Sequence, residues 1–248
     1  MLRALKERFT IQGFRTMRFP DDLVLPDQFR GLPELDATVL EDRMIPLCPY
    51  QALGRDADGW FLDLGRCLFC VDCPLMPALR FSGEYRMAVR NREDLILRPG
   101  QSLRRAEPLT GQLHSLYGKS LKLRQVCAGG CNACEADSNV LTTIGWDMGR
   151  FGIQFVASPR HADALFVTGP VTAGMREPLY KTWQALPEPR LLIACGSCAI
   201  AGGPFTGSPV IEPAIPADLP VDLYIPGCPP HPATILDGLL RLQGRITD

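Results

Sequence analysis

The stretch "KLRQVCAGGCNACEAD", residues 122–137, decides the fold. It begins as a short apolar-rich run typical of a buried strand, passes through a glycine-rich loop with three cysteines, and ends in a pattern that opens a helix. Similar runs recur as "IQFVA", "DALFVTG", "RLLIAC" and "VDLYI", with helical patterns such as "EPLYKTWQAL" and "ATILDGLLRL" among them. Strands that alternate with helices predict an α/β fold, with a parallel sheet covered by helices on both faces, over residues 119–248.

The unusual loops of this region follow the predicted strands. "CAGGCNAC" comes after the first strand, "TGPVT" after the third, "CGSCAIAGG" after the fourth and "PGCPP" after the fifth. Because the carboxyl ends of parallel strands meet at one edge of a sheet, where ligands bind, we expect cysteines that are remote in sequence to converge there.

Bulk properties indicate a folded protein of one or two domains. The chain has 248 residues, 46% hydrophobic and 21% charged, with a net charge of −1, so no global field favours nucleic acid. The charge is uneven. Residues 80–125 carry ten Lys/Arg against four Asp/Glu, and residues 126–248 carry seven against eleven. Such a basic middle beside an acidic end is more typical of a docking surface than of a reaction centre.

The ten cysteines predict metal binding. The first residues, "MLRALKERFTIQGFR", lack the apolar core of a signal peptide, and no apolar run approaches the ~18 residues of a membrane span. We therefore expect a cytoplasmic chain, in which thiols stay reduced and no disulfide framework forms. The cysteine count then favours metal sites.

The first 118 residues predict three further segments. Residues 1–30 carry six Lys/Arg among spaced apolar positions, which is typical either of a basic amphipathic arm on a partner or membrane surface or of a solvated helix or tail. Residues 31–95 form a small loop-rich module with four cysteines. Residues 96–118 are rich in turn formers and arginine, which suits a linker.

A first cysteine set lies in the loop-rich module. "CLFCVDCP", residues 67–74, resembles the second C-x2-C-x2-C run of a bacterial ferredoxin, in which the fourth cysteine of each run serves the other cluster. Cys48, followed by Pro49, matches the fourth position of a first run whose other cysteines are missing. All ligands of one cluster are therefore absent, and one complete set remains. This pattern predicts a [4Fe–4S] cluster on Cys48, Cys67, Cys70 and Cys73, in a ferredoxin-like module.

Zinc is the alternative metal for this set. Zinc ribbons favour two separated C-x2-C pairs, whereas three thiolates crowded at one corner suit an iron–sulfur cube better. The aromatic residues Trp60, Phe61 and Phe69 are expected to shield the site from solvent, which also shifts a cluster's potential.

The second half of the chain carries a resemblance to a known family. "SLKLRQVCAGGCNACEAD", "FGIQFVASPRHADALFVTGPVT", "CGSCAIAGG" and "VDLYIPGCPPHPATILDGL" resemble the small electron-transfer subunit of membrane-bound [NiFe] hydrogenases of the formate hydrogenlyase type. They are similar, more distantly, to the 20 kDa subunit of complex I. The resemblance covers residues 115–242, and the N-terminal part resembles the ferredoxin-like subunit of the same assemblies.

The resemblance implies a flavodoxin-like fold and a second [4Fe–4S] cluster on Cys131, Cys134, Cys198 and Cys228. It implies a subunit of an oxidoreductase complex that relays electrons through two [4Fe–4S] clusters, with no catalytic residues of its own. Its implied partners are a catalytic large subunit and another iron–sulfur or membrane subunit. The chain would then lie at the inner face of the cell membrane, with only indirect membrane contact.

Two alternatives to the hydrogenase-type function stay open. Complex I subunits carry their first two ligands as adjacent cysteines, whereas "CNAC" has the hydrogenase spacing; an NADH/quinone oxidoreductase subunit of the 20 kDa type is therefore the closer alternative. A zinc-stabilised structural adaptor without redox activity is the alternative from another class.

Four residues outside these sets are also candidates for a role. Cys127 and Cys195 are expected to be small buried residues near strand ends, or else to tune the cluster. Glu135, beside Cys134, is either a helix-start acidic residue or a carboxylate that supports the cluster or relays protons. His161 is expected to hydrogen-bond at a surface or interface rather than bind metal.

Overall fold

The N-terminal part is built from short strands. In this computed structural model, which describes residues 2–13 and 15–247, the chain begins with helix α1 (Leu2–Glu7), which continues as a π-helical turn (Arg8–Gln12). Strands β1 (Pro33–Leu35) and β4 (Leu79–Phe81) pair antiparallel. A second antiparallel sheet contains β2 (Leu53–Asp56), β3 (Gly59–Asp63) and β5 (Ile96–Leu97), in which β3 is central. Short 3-10 helices span Asp42–Leu47 and Arg92–Leu95.

The C-terminal part confirms the predicted α/β fold. After helix α2 (Gly111–Tyr117), its strands are β6 (Leu121–Cys127), β7 (Ile153–Phe155), β8 (Ala164–Thr168), β9 (Leu191–Cys195) and β10 (Leu223–Ile225). Its helices are α3 (Ala133–Val140), α4 (Ala173–Ala185), α5 (Ser197–Ala201) and α6 (Pro232–Leu242), with 3-10 turns at Met148–Phe151, Pro159–His161 and Gly203–Phe205. All five strands overlap the runs from which the sequence predicts them.

The sheet has the strand order of flavodoxin-like folds. Its neighbours run β10-β9-β8-β6-β7, and every pair is parallel. Counted from β6, this is the order 2-1-3-4-5, whose direction reverses between the first and third strands. The crevice at the carboxyl ends of β6 and β8 is therefore the position where such sheets bind ligands.

Both faces of the sheet are buried, each in its own apolar layer. On β8, Leu165 and Val167 face a layer that includes α4, α5 and the N-terminal module. Ala164 and Phe166 face the opposite layer, to which α6 contributes most of its apolar residues. This two-sided burial explains the continuous apolar runs in the strands.

The N-terminal module and the sheet are joined by backbone hydrogen bonds. Val89 and Tyr224, at β10, exchange N–H···O=C bonds of 3.0 and 2.9 Å. The predicted linker, residues 96–118, takes part in this packing: Ile96 and Leu97 belong to a sheet of the N-terminal module, and the amide of Leu109 donates to the carbonyl of Leu242. Within the described residues, no helix has both the length and the apolarity to cross a bilayer.

A buried ion pair lies within α6. The side chains of Asp237 and Arg241 are 1% and 5% exposed and lie 2.9 Å apart. Burial raises the pKa of Asp237 to about 6, and the attraction of Arg241 opposes this rise. The folded state therefore binds a proton at Asp237 more tightly than the unfolded chain, so this group lowers the free energy of unfolding as pH rises from about 4 to about 6.

We expect Arg241→Met to lower the free energy of unfolding by about 3–5 kcal/mol, because it leaves the Asp237 carboxylate buried without this partner. The loss should be larger at pH 8 than at pH 5, where the carboxyl of the variant takes up a proton. Denaturant unfolding at both pH values measures this loss of unfolding free energy. The matched control is the double variant Asp237→Leu/Arg241→Met, which should recover most of the loss; equal losses in both variants would contradict the account.

Candidate metal centres

The first cysteine set is gathered by two loops of the N-terminal module. Cys48 directly follows the 3-10 helix Asp42–Leu47, and its sulfur accepts a hydrogen bond of 3.4 Å from the amide of Ala52. Cys67, Cys70 and Cys73 lie in the turns between β3 and β4.

The four thiols of this set interact electrostatically. The pKa of Cys67 is raised to about 12, mainly by burial and in smaller part by the thiols of Cys73, Cys48 and Cys70. Burial also raises the pKa of Cys70 and Cys73. A buried thiol of such high pKa gives up its proton only when a cation replaces it, so iron binding would release protons here.

One cation faces this set. The guanidinium of Arg30 opposes the rise in the pKa of both Cys70 and Cys73, since a positive charge favours their thiolates. The ring of Phe69 covers the same region and packs against Phe81, with ring centroids 5.8 Å apart.

The second cysteine set lies at the carboxyl edge of the parallel sheet, where the sequence predicts it. Cys131 comes from the loop between β6 and α3, Cys134 from the first turn of α3, Cys198 from α5 after β9, and Cys228 from the loop after β10. The pKa of Cys198 is raised to about 12, mainly by burial and in smaller part by the thiols of Cys228 and Cys131. The pKa of Cys134 is also raised, by burial and then by Cys198. These four thiols are thus neighbours in the fold.

Two glycines leave room for these sulfurs. A Cβ atom on Gly196, whose φ is +92°, would lie 2.6 Å from the sulfur of Cys134. A Cβ atom on Gly203, whose φ is +55°, would lie 2.7 Å from the sulfur of Cys198. Both contacts are closer than a side chain allows, and both backbone conformations favour glycine. The loops therefore approach the sulfurs with bare backbone, which suits hydrogen bonding to an inorganic sulfide.

The two cysteine sets are adjacent. The pKa of Cys228, in the second set, is raised by burial, then by Cys131 of the same set, and also by Cys70 of the first set. The buried hydroxyl of Ser197, beside Cys198, lies 2.9 Å from the carbonyl oxygen of Cys67 and 3.1 Å from that of Gly227. Ser197 therefore bridges a loop of each set.

Both sets have a chemistry that fits a four-iron cluster. Each offers four free thiols, at least one of which is buried, and thiolates are the usual ligands of such clusters. In the described part of the chain, no three His, Cys, Asp or Glu side chains are grouped to hold a metal ion. A four-iron cluster does not need such a group, because each of its thiolates binds a different iron atom.

The two remaining cysteines differ from each other. Cys195 is fully buried in β9, as the sequence predicts. Cys127 is exposed at the carboxyl end of β6, so the expectation of a buried residue is wrong for it. The strand ends at this position, and its last side chain reaches the open edge of the sheet rather than a packed face.

Glu135 links two strand ends behind the second set. Its buried carboxylate accepts a hydrogen bond from the hydroxyl of Thr168, the last residue of β8. The pKa of Cys127 is raised by partial burial first, and then by a hydrogen bond with Glu135 and by its charge. His161, in contrast, lies exposed before β8, at the opposite edge of the sheet from the cysteines.

Sequence reasoning missed Thr168, Ser197 and His231, because their roles depend on tertiary contacts. His231 caps α6: its Nδ1 atom accepts a hydrogen bond of 3.1 Å from the backbone amide of Ala233. Burial lowers the pKa of His231, which favours the neutral ring. The only local signal was its position three residues after Cys228.

Comparison with known proteins shows the family. The family model described as "NADH ubiquinone oxidoreductase, 20 Kd subunit" matches residues 131–242. A protein of Pyrococcus furiosus named "Probable membrane-bound hydrogenase subunit mbhJ" is 39% identical over 137 residues, which are 55% of this chain and 82% of that protein. Formate hydrogenlyase subunit 7 of Escherichia coli is 42% identical over 128 residues, 52% of this chain and 50% of that one.

Similarity extends to respiratory complexes. A subunit of the NADH-quinone oxidoreductase of Heliobacterium modesticaldum is 39% identical over 120 residues, 48% of this chain and 69% of its own length. A chain in the solved archaeal membrane-bound sulfane sulfur reductase aligns with a TM-score of 0.47 and 32% identity, covering 53% of this chain and 73% of that chain.

The chain belongs to the family of the 20 kDa subunit of NADH:ubiquinone oxidoreductase. The predicted membership is confirmed, and its relatives are subunits of oxidoreductase complexes, as the sequence predicts for this chain.

Proposed function

We propose that this chain is the iron–sulfur electron-transfer subunit of a membrane-associated complex of the [NiFe] hydrogenase type. It holds one [4Fe–4S] cluster on Cys48, Cys67, Cys70 and Cys73 in a ferredoxin-like module, and another on Cys131, Cys134, Cys198 and Cys228. The observation that carries the proposal is the grouping of the thiols into two adjacent sets of four.

The residues of the chain have distinct tasks in this function. A [4Fe–4S] cluster, when bound, takes up and gives up single electrons. The thiolates hold it, while Gly196 and Gly203 bring backbone close to the sulfurs. Ser197 holds a loop of each set at a fixed separation. Burial and the nearby Arg30 cation set the local electrostatics, and these are the protein's levers on potential.

Exposure of the second set suggests where the large subunit binds. Cys131 and Cys228 are exposed, whereas Cys134 and Cys198 are buried. A large subunit that covers this edge would exclude water from the second cluster and bring a catalytic centre close to it. The first set, on the N-terminal module, would exchange electrons with another iron–sulfur or membrane subunit. Through these partners the chain would lie at the cytoplasmic face of the membrane.

Oxygen-free purification of the full chain tests the proposal. Two four-iron clusters predict a brown protein with about eight irons and eight sulfides per chain. Reduction should produce paramagnetic signals from two interacting centres, because the sets are adjacent. A colourless protein that contains zinc and no sulfide would identify the adaptor instead.

The complex I-like function is the second candidate, because the chain is similar to a formate hydrogenlyase subunit and also to an NADH-quinone oxidoreductase subunit. The spacing of Cys131 and Cys134 supports the hydrogenase type. Metal analysis of the complex isolated through a tag on this chain distinguishes the two. Nickel in the co-purified large subunit supports hydrogenase chemistry, and quinone reduction without nickel supports the alternative.

A further inference from the structure

The N-terminal helix presents an unpartnered apolar stripe. Leu2 and Leu5 on α1 and Phe9 on the π-helical turn are 82%, 46% and 69% exposed, and α1 has no buried residue. Their spacing of three and four residues places them on one side of the helix. The stripe continues onto the body of the protein, because Phe9 shares a hollow of about 310 Å³ with Ile144, which is 72% exposed.

Cations flank this stripe. Residues 2–15 contain Arg3, Lys6, Arg8 and Arg15 against Glu7, four positive charges and one negative, for a net charge of +3. On a helical projection, Lys6 and Arg8 lie on opposite sides of the apolar stripe. Arg3 and Glu7 form an exposed ion pair of 3.0 Å on the remaining face.

The chain that follows the helix is held on the body of the protein. After the turn at Gly13, the amide of Met17 donates to the carbonyl of Gly145 at 2.8 Å, and the guanidinium of Arg150 donates to the carbonyl of Met17. Since Phe9 and Ile144 line one hollow, the stripe and Ile144 belong to one surface of the folded chain.

We propose that this surface, formed by the helix of residues 2–12 and Ile144, lies directly on an anionic lipid bilayer. Leu2, Leu5 and Phe9 enter the boundary between headgroups and acyl chains, while Lys6 and Arg8 contact anionic headgroups on either side. A short helix with an apolar face and flanking cations has the chemistry of a membrane-surface helix, and the net charge complements an anionic leaflet. The contact adds to any attachment through partner subunits and does not depend on the iron–sulfur assignment.

Co-sedimentation of the full chain with vesicles tests this inference. The chain should bind vesicles of phosphatidylcholine with one quarter phosphatidylglycerol, bind pure phosphatidylcholine at least tenfold more weakly, and dissociate as salt rises. Leu5→Glu/Phe9→Glu should weaken binding at least tenfold, and Lys6→Gln/Arg8→Gln should weaken it roughly fivefold for each cation removed.

The matched controls are Val24→Glu and Val210→Glu, which add a carboxylate at apolar positions that are 87% and 58% exposed elsewhere. They should bind as the unaltered chain does. Unchanged iron content or thermal unfolding shows that each variant folds. The inference is overturned if the unaltered chain stays in the supernatant, or if Leu5→Glu/Phe9→Glu binds vesicles as well as the controls do. It is also overturned if Leu5→Glu/Phe9→Glu still binds vesicles but no longer co-purifies with a partner subunit.

Discussion

Cys70→Ser should remove about four of the roughly eight iron atoms per chain and leave the second cluster in place. Cys70 is only half-buried, so the smaller hydroxyl disturbs little packing. A serine oxygen is a poorer ligand than a thiolate for iron in a sulfide cube. Iron and sulfide analysis, together with the spectrum of the reduced protein, measures the result.

Cys127→Ser provides the matched control for this variant, since Cys127 is an exposed cysteine outside both sets. It should keep all of the iron. Loss of all iron in Cys70→Ser would mean that the two sites assemble only together, and the description of two separately ligated clusters would need revision.

Gly196→Ala should produce the complementary loss, of the second cluster rather than the first. The new methyl group would lie 2.6 Å from the sulfur of Cys134, at a backbone φ of +92°. The backbone conformation alone costs about 1–3 kcal/mol for a residue with a Cβ atom. The sulfur must also move out of its position, which removes a ligand. We expect about half of the iron to be lost and the spectrum of the first cluster to remain.

Gly174→Ala is the control for that change. It lies in α4, where an added Cβ meets no atom within 4 Å, and alanine favours a helix over glycine. Its iron content should be unchanged and its stability equal or higher. Full iron content in Gly196→Ala, with a properly folded chain, would show that the Cys134 sulfur does not bind a cluster.

The sheet could be predicted from sequence because its strands are buried on both faces. "DALFVTG" and "RLLIAC" contain β8 and β9, in which every residue is buried, so their apolar runs are continuous. The strands of the N-terminal module, two to five residues long, are too short to display a period. For that reason the sequence indicates only a loop-rich module there.

The candidate site was predictable where the ligands themselves carry the signal. Cysteine spacing indicated the first set, and strand-end position with family resemblance indicated the second. The supporting contacts were not predictable. Ser197 meets Cys67 across 130 positions, and Thr168 meets Glu135 across 33, so no local pattern reports either pair. The exposure of Cys127 likewise depends on where β6 ends at the sheet edge.

The hydrogen bonds that join Val89 to Tyr224 and Ser197 to Cys67 also bear on kinetics. Since they hold both cysteine sets within one folded chain, any electron exchange between the sets is a unimolecular process. Its rate should not change with dilution of the protein or with the encounter frequency of subunits. Only the steps in which electrons enter or leave the chain depend on how the larger complex is assembled.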